Sequence, residues 1–108
     1  MSDYRDEQEI RARGLTAPRV TFHEIDELMS GVRFETHIVP GTTTTVATAI
    51  AANGFTLASE VSACASPENF DAELGRKYAI KKCAEAAKNE LWKLEGWRLK
   101  CSLEADQA

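Results

Sequence analysis

Two histidines and three cysteines are the residues of this chain best suited to covalent chemistry. A cysteine next to a histidine can act as a nucleophile, and clusters of these side chains at short spacing can hold zinc. The five residues show no such spacing: they are His23, His37, Cys64, Cys83 and Cys101. No Gly-rich phosphate loop of the GxxxxGK(S/T) type occurs either. We therefore expect a protein that is not an enzyme and that uses neither a metal nor a cofactor.

A second group of residues could bind an anion without any covalent step. Ser66–Phe70 is predicted to begin a helix, whose free backbone amides would suit a phosphate. Arg76 follows about two turns later, and Arg33 falls on the polar side of a predicted strand. Phe55 follows an Asn-Gly turn, where an aromatic ring can stack on a nucleobase. With Asn69 at the helix start, the candidate ligand-binding residues are Arg33, Phe55, Asn69 and Arg76.

Each of these four residues also has an ordinary structural explanation. Aromatic residues on strands commonly belong to the core, so Phe55 could pack inward instead. Arg33 and Arg76 could be solvated or ion-paired surface residues. Asn69 could serve the helix start through its side chain. The residues alone therefore indicate a domain that favours anions, and they leave its ligand open.

The composition indicates one small cytoplasmic domain. The chain has 108 residues, which suits a single modest core. Its formal net charge of -4, with acidic and basic residues interspersed, argues against binding to duplex nucleic acid or to an anionic membrane. It has no apolar run long enough for a membrane span and no signal-peptide pattern. Three widely spaced cysteines fit no disulfide framework, so we expect them to be reduced.

The first part of the chain is predicted to be a polar segment over residues 1–20, whose residues 1–13 form a tail or a loosely held helix, followed by a single domain over residues 21–108. Thr21 and Glu24 have the spacing of a capping box at a helix start. Gly31 suits a left-handed stop at the end of the same helix. We expect a short helix of about two to three turns between them.

Three segments then carry strand patterns. Residues 32–38 alternate between apolar and polar side chains, and residues 42–50 are rich in Thr and Val. Residues 55–63 alternate again, which would place Leu57 and Val61 on the same face. A Pro-Gly pair and an Asn-Gly pair separate the three segments and favour tight turns. The pattern predicts an antiparallel meander.

The rest of the chain changes to a helical period. Ser66 is expected to cap its start, with Pro67 as the first helical residue. Apolar residues recur at helical spacing from Phe70 onward, opposite a charged face. Gly75 and Gly96 are expected to break this region into shorter pieces. The predicted fold class is α+β: a short N-terminal helix, a three-stranded antiparallel meander and a long C-terminal helical region packed on the sheet.

Several motifs in a fixed order resemble a known family. They are VPGTTTTVATAI at residues 39–50, the Asn-Gly-Phe turn, SPENFDAELGR at residues 66–76 and LWKLEGWRL at residues 91–99. Together they resemble the small phage protein family labelled gene-49-like, over residues 21–103. The resemblance implies an origin in a tailed phage or a prophage, and the label itself carries no function.

In plan the chain also resembles the Thoeris anti-defence proteins of the first described type, in which an antiparallel sheet precedes two C-terminal helices. Those proteins are sponges: they bind cyclic ADP-ribose-type immune signals, and some bind cyclic oligonucleotides, without cleaving them. The resemblance implies a small nucleotide signalling molecule as partner, a homo-oligomer of which a hexamer is one form, and a location in the host cytoplasm. It also implies that an aromatic ring stacks on the base while Arg and Asn side chains hold ribose and phosphates. Phe55, Arg33, Arg76 and Asn69 match those roles in residue type.

Two further functions stay open. The chain could be an enzyme that degrades the same nucleotides, although a positioned nucleophile or metal would then be needed. It could also be a phage accessory or structural protein that acts through protein contacts alone. The second function predicts that no nucleotide binds.

Self-association is expected from the apolar residues near the C-terminus. Trp92, Leu94, Trp97 and Leu99 present more large apolar surface than a three-stranded sheet can cover. We therefore expect part of this surface to pack against another subunit.

Overall fold

The computed structural model describes residues 2–15 and 17–107. Its three strands form one antiparallel sheet in the order β1-β2-β3, and one long helix packs across one face of that sheet. The predicted α+β class is confirmed. The elements are α1 (Ser2–Ala12), α2 (Phe22–Ser30), β1 (Arg33–Ile38), β2 (Thr44–Ile50), β3 (Thr56–Ala63), a 3₁₀ turn (Pro67–Asn69) and α3 (Ala72–Gln107).

Helix α2 forms where the capping pattern predicts it. Thr21 has an extended backbone, and its Oγ1 accepts a hydrogen bond from the backbone N of Glu24 at 3.1 Å. Ile25 is fully buried in the core. The backbone N of Gly31 donates to the carbonyl of Leu28 at 3.2 Å and closes the last turn. The left-handed stop predicted at Gly31 is wrong, since its φ is -94° and the last turn closes without a positive φ. The chain then turns directly into β1.

The sheet has one face covered by α3 and one open face. Ala47 and Ala49 of β2 are fully buried on the covered face. Small side chains there let the helix approach the central strand closely. Exposed polar residues of β1, Arg33, Glu35 and His37, lie on the open face, as the alternating pattern predicts.

A β-bulge in β3 changes which of its residues share a face. Ala49 pairs with Ala58 but Ile50 pairs with Thr56, so Leu57 is an extra residue in β3. Leu57 is buried, whereas Val61 is 49% exposed on the open face. The prediction that Leu57 and Val61 share a face is therefore wrong. Side chains alternate between the two faces along a strand, so one inserted residue moves those beyond it to the opposite face.

Helix α3 begins later than predicted. Pro67–Asn69 is a separate 3₁₀ turn, and Ser66 donates its hydroxyl to Glu68 at 3.1 Å instead of capping a helix. The true cap is Asp71, whose Oδ1 accepts from the backbone N of Leu74 at 3.0 Å. The predicted start at Ser66 is wrong because Phe70 has an extended backbone that interrupts the helical path.

Once begun, α3 continues without a break for 36 residues. The predicted breaks at Gly75 and Gly96 are therefore wrong. Its buried residues recur every fourth position and form one stripe against the sheet; they are Ala79, Cys83, Ala87 and Leu91. Packing of this stripe outweighs the low helix propensity of two glycines.

The helix is much longer than the sheet that it covers. At its standard rise it spans about 54 Å, whereas the seven residues of β2 span about 23 Å. The radius of gyration is 18.0 Å, against about 13 Å for a compact domain of this length. The accessible surface is 7783 Å², against about 5,900 Å² for a compact monomer of this size. The C-terminal part of α3 thus extends beyond its own domain.

The two glycines of α3 are expected to respond to alanine with opposite signs. A Cβ at Gly75 would lie 2.8 Å from Oγ1 of Thr45, a fully buried side chain, so Gly75→Ala should lower the free energy of unfolding by about 1–3 kcal/mol. Gly96 has open space around it, so Gly96→Ala should raise that free energy by about 0.5–1 kcal/mol. Urea unfolding checks both. Adding Thr45→Ala should recover part of the stability lost in Gly75→Ala. Equal changes in stability at the two glycines would contradict the close packing of Gly75 on Thr45.

Helix α1 docks on the start of α2 through one carboxylate. Glu7 accepts two hydrogen bonds from the guanidinium of Arg19, at 2.9 and 2.6 Å, and one from the backbone N of Phe22 at 3.1 Å. The Arg19 hydrogen bond, followed by the Phe22 amide, lowers the pKa of Glu7 from 4.5 to about 2. The predicted polar segment thus includes a docked helix, while the domain boundary at residue 20 stays a prediction.

Acid is expected to release α1. Because the pKa of Glu7 falls from 4.5 to about 2 on folding, its stabilising contribution is complete above about pH 4.5 and is lost as the pH falls towards 2. Amide protection factors over residues 4–12 should therefore drop between pH 6 and pH 3. Glu7→Gln should show low protection at both pH values, and Glu9→Gln should behave like the wild type. Unchanged wild-type protection at pH 3 would contradict this.

Candidate ligand cleft

The turn between β2 and β3 holds Phe55 outward. Oδ1 of Asn53 accepts from the backbone N of Phe55 at 3.0 Å, and the backbone N of Gly54 donates to Ala51 at 2.8 Å. Gly54 has φ of 89°, a conformation that side chains with a Cβ rarely adopt. The ring of Phe55 is 52% exposed. Phe55 is therefore a surface aromatic held by a defined turn, and not a core residue.

A cleft of 370 Å³ opens beside this ring, in the angle between the hairpin and α3. We call it the hairpin cleft. Its volume falls within the range of small-molecule sites in proteins. Its lining is mostly apolar, with Leu28, Ala51, Phe55, Leu57, Leu91 and Leu94. An aromatic face above an apolar floor is suited to a flat ring such as a nucleobase.

Arg98 and Glu95 are the charged residues of the hairpin cleft. Nη2 of Arg98 lies 3.1 Å from Oε1 of Glu95, one helical turn before it. The Arg98 side chain is 79% exposed, whereas that of Glu95 is 17% exposed. A guanidinium has five N–H donors, and this contact uses one side of it. Arg98 can therefore neutralise Glu95 and still donate to a phosphate at the cleft mouth.

The other three predicted ligand residues lie elsewhere. Arg33 pairs with Ile50 at the hairpin end of the sheet, but on the open face, where its Nη1 donates to Glu35 at 2.7 Å. Asn69 and Arg76 lie at the opposite end, near the start of α3. The six steps from Thr44 to Ile50 separate the two ends by about 20 Å. One chain therefore does not bring the four residues together, and a site that uses all of them would need two chains.

The start of α3 is less favourable for an anion than its sequence suggests. The carboxylate of Asp71 already accepts a hydrogen bond from an amide of the first turn. A second negative charge there would meet repulsion from Asp71. Asn69 instead lines a small pocket of 260 Å³ with Thr43, Phe70 and Tyr78.

A larger cleft of 720 Å³ lies between α1 and α2. Several of its titratable side chains have partners, of which Arg19 and Glu27 lie outside the cleft, and Arg11 is a further charged residue of its lining. Glu7 binds Arg19, His23 lies 3.3 Å from Glu27, and Asp26 lies 3.7 Å from Lys88. Several polar groups of this cleft are thus used in contacts of α1, α2 and α3. The hairpin cleft is therefore the better candidate for a ligand.

The two tryptophans near the C-terminus have different roles. The ring of Trp92 packs edge-on against Phe22 with centroids 4.9 Å apart. Leu94 packs on the core, and Leu99 lines a crevice beside Pro18. Trp97 is 71% exposed on the part of α3 that extends past the sheet. Of the four residues predicted to join subunits, Trp97 therefore offers the largest free surface.

The cysteines are free thiols: Cys83 is buried, Cys64 is half-buried and Cys101 is exposed. Burial is the main cause that raises the pKa of the Cys83 thiol. Across residues 2–15 and 17–107, no three His, Cys, Asp or Glu side chains form a group that could hold a metal ion. No helix in that part of the chain is long and apolar enough to cross a membrane.

Arg98 and Glu95 were not among the residues predicted from sequence. They follow Leu94 at helical spacing, but that pattern is typical of any solvated helix face. The missing information was the length of α3, which brings Arg98 into the lining of the same cleft as Phe55. No short-range sequence pattern predicts that Arg98 and Phe55 line the same cleft.

Comparison with known protein families shows a match over most of the chain. The model described as Phage protein (N4 Gp49/phage Sf6 gene 66) family matches residues 20–103. This is most of the chain and includes all three strands, α2 and the hairpin cleft. No curated protein and no solved structure matches the chain.

Proposed function

The chain belongs to the phage protein family of N4 Gp49 and phage Sf6 gene 66, and on that premise we propose that it binds and sequesters a cyclic nucleotide immune signal without cleaving it. The ligand class is cyclic ADP-ribose or a related cyclic oligonucleotide. Sequestration of this kind counters host defence by lowering the concentration of free signal. It requires affinity and abundance, and no step of covalent chemistry.

The observation that carries this proposal is that Phe55 and Arg98 line the same cleft. Phe55 offers an exposed ring for base stacking, and Arg98 offers guanidinium donors for phosphate. The apolar floor beneath them can cover one face of the base. These are the two kinds of contact that a nucleotide requires.

Self-association belongs to the same proposal. The accessible surface exceeds that of a compact monomer by about 1,800 Å². A standard interface buries about 800 Å² per partner, so the excess is large enough for contact with further chains. Trp97 and the exposed thiol of Cys101 lie one helical turn apart on α3 and form the apolar part of this surface. We propose a homo-oligomer in which α3 packs against α3 of a second copy around Trp97.

A thermal-shift screen tests the proposal. The panel contains cyclic ADP-ribose isomers and cyclic di- and trinucleotides, with linear ADP-ribose and AMP as controls. A ligand present at about a hundred times its Kd stabilises the folded chain by about 2.7 kcal/mol. That corresponds to about 10 °C or more in Tm for a domain of this size. No shift with any cyclic compound would overturn the proposal.

The alternative is a phage accessory or structural protein that acts through protein contacts. The specific observation in its favour is the exposure of Trp97, since tryptophan is enriched at the centres of protein interfaces. This alternative predicts no thermal shift with nucleotides and stable co-purification with a phage or host protein. It takes the place of the first proposal if the screen finds no ligand.

A further inference from the structure

The outer edge of β1 is open to another strand. Within the described residues, β1 pairs only with β2. The backbone N of Val39 donates to the carbonyl of Thr44 at 2.9 Å, so these two residues form a hydrogen-bonded pair. Since such pairs alternate along an antiparallel ladder, Arg33, Glu35 and His37 direct their backbone groups towards β2. The backbone groups of Phe34, Thr36 and Ile38 therefore point outward.

The two edges of the sheet differ in protection. Nζ of Lys82 donates to the carbonyl of Val61 in β3 at 2.7 Å, and the bulge at Leu57 distorts the same strand. Lysine side chains and bulges are the usual devices that keep an edge strand from pairing. The six residues of β1 contain no lysine and no proline, and their pairing with β2 is regular.

We propose that β1 pairs with β1 of a second copy of this chain, antiparallel and with Thr36 opposite Thr36 on the two-fold axis. Phe34 of each chain then lies opposite Ile38 of the other, and up to six backbone hydrogen bonds form. Two three-stranded sheets become one six-stranded sheet that carries both α3 helices on one face.

Charge selects this register over its neighbours. With Thr36 on the axis, Glu35 of each chain lies opposite His37 of the other, so twice a carboxylate faces an imidazole from which it can accept a hydrogen bond. A shift that places Glu35 on the axis would oppose two carboxylates and would set Arg33 against His37. A shift that places His37 on the axis would pair fewer residues of the strand. The side chains of Glu35 and His37 are exposed on the open face, and the hydrogen bond from Arg33 to Oε2 of Glu35 leaves the other carboxylate oxygen to accept from His37.

This contact differs from the one proposed around Trp97. The β1 edge and the C-terminal part of α3 are separate surfaces, because α3 lies mainly over β2 and β3. Two different two-fold contacts on one chain generate a closed assembly with an even number of subunits where their axes meet, and an open filament where they do not. The β1 contact therefore predicts tetramers, hexamers or larger even-numbered rings wherever the α3 contact also forms and the two axes meet.

Disulfide trapping tests the register. In a Cys101→Ser background, which removes the exposed thiol, Thr36→Cys should give a covalent dimer on mild oxidation, because residues on the axis have Cα atoms about 5.5 Å apart. Glu35→Cys is the matched control. Its two copies would lie diagonally at about 7–8 Å, which is beyond the range of a disulfide. A Thr36→Cys yield no higher than that of Glu35→Cys would overturn the proposal.

The pairing of Glu35 with His37 is tested by exchanging the charges at these two positions and measuring the rate at which the Thr36→Cys cross-link forms. His37→Glu should slow formation of the Thr36→Cys dimer by about fivefold, since it places two carboxylates opposite one another. Glu35→Lys should slow it less, since it only removes the carboxylate that faces His37. The double variant places opposite charges against one another and should return the rate to within about twofold of the starting protein. A double variant slower than both single variants would overturn the register. Circular dichroism confirms that each variant is folded.

Discussion

Replacing Phe55 with alanine is expected to weaken binding of the cyclic nucleotide by about tenfold to a hundredfold. Stacking of a base on an aromatic ring contributes about 1–3 kcal/mol, and about 1.4 kcal/mol corresponds to a factor of ten in Kd. The ring is already half-exposed, so its removal should leave the fold intact. Isothermal titration calorimetry measures the change.

Two further substitutions at the same position separate stacking from simple hydrophobicity. Phe55→Tyr keeps the ring and should stay within about threefold of the wild type, because its hydroxyl can remain in water. Phe55→Leu keeps an apolar side chain without a π-face and should lose most of the affinity that Phe55→Ala loses. Equal affinity for Phe55→Ala and the wild type would place the base elsewhere.

Arg98→Ala should weaken binding by a similar factor and should also reduce the salt dependence of Kd. A hydrogen bond to a charged group is typically stronger than a neutral one, at about 1.5–3 kcal/mol. Lys100→Ala is the matched control, since it removes one positive charge from the same helix at an exposed residue outside the cleft. Equal losses for the two variants would indicate a general charge effect and would contradict a phosphate contact at Arg98.

The Arg76→Ala variant tests whether a second chain contributes to the ligand site. Arg76 lies at the far end of the sheet from Phe55, so it can reach the ligand only from another copy. A loss of affinity in Arg76→Ala, added to the loss in Phe55→Ala, would mean that the site predicted from sequence is completed across a subunit boundary. No loss in Arg76→Ala would confine the ligand to the hairpin cleft of one chain.

Trp97→Glu is expected to break the contact between α3 helices. Trp97 is 71% exposed in the single chain, and a tryptophan at the centre of an interface commonly contributes 2 kcal/mol or more. The dissociation constant of the assembly should therefore rise by about thirtyfold or more. Light scattering at micromolar concentration should show a fall from an even-numbered ring to the two-chain unit paired through β1.

The matched control for this change is Asn89→Glu, which adds the same charge to an exposed residue of α3 beside the sheet. It should leave the assembly unchanged. Wild-type chain that is monomeric under the same conditions would contradict self-association altogether. An unchanged mass in Trp97→Glu would place the contact on another surface.

Local rules account for much of the fold. Thr21 and Glu24 predict the start of α2 because a cap acts within three residues. Gly54 predicts the second hairpin because the tight turn needs a positive φ, which glycine adopts without strain. These features depend on neighbours in sequence, so a reading of the sequence finds them.

The wrong or missing predictions concern features that depend on contacts between residues distant in sequence. The bulge at Leu57 depends on the register between β2 and β3, which no residue of β3 encodes alone. Gly75 looks like a helix breaker, but it meets Thr45 where α3 crosses the sheet, and that close approach needs a residue without a Cβ. Arg98 lines the same cleft as Phe55 only because α3 runs unbroken past the hairpin. Of the two side chains proposed to contact the ligand, Phe55 was among the residues predicted from sequence and Arg98 was not, and the site itself stays a prediction.

Recovery of the ligand tests the central claim most directly. The purified protein is incubated with the cyclic nucleotide that gives the largest thermal shift, freed of unbound ligand and denatured by heat, and the released compound is identified by mass spectrometry. Sequestration without cleavage predicts that about one intact cyclic molecule per site is recovered, and that Phe55→Ala retains much less. Recovery of a linear or hydrolysed product, or of no nucleotide from the wild type, would contradict the account.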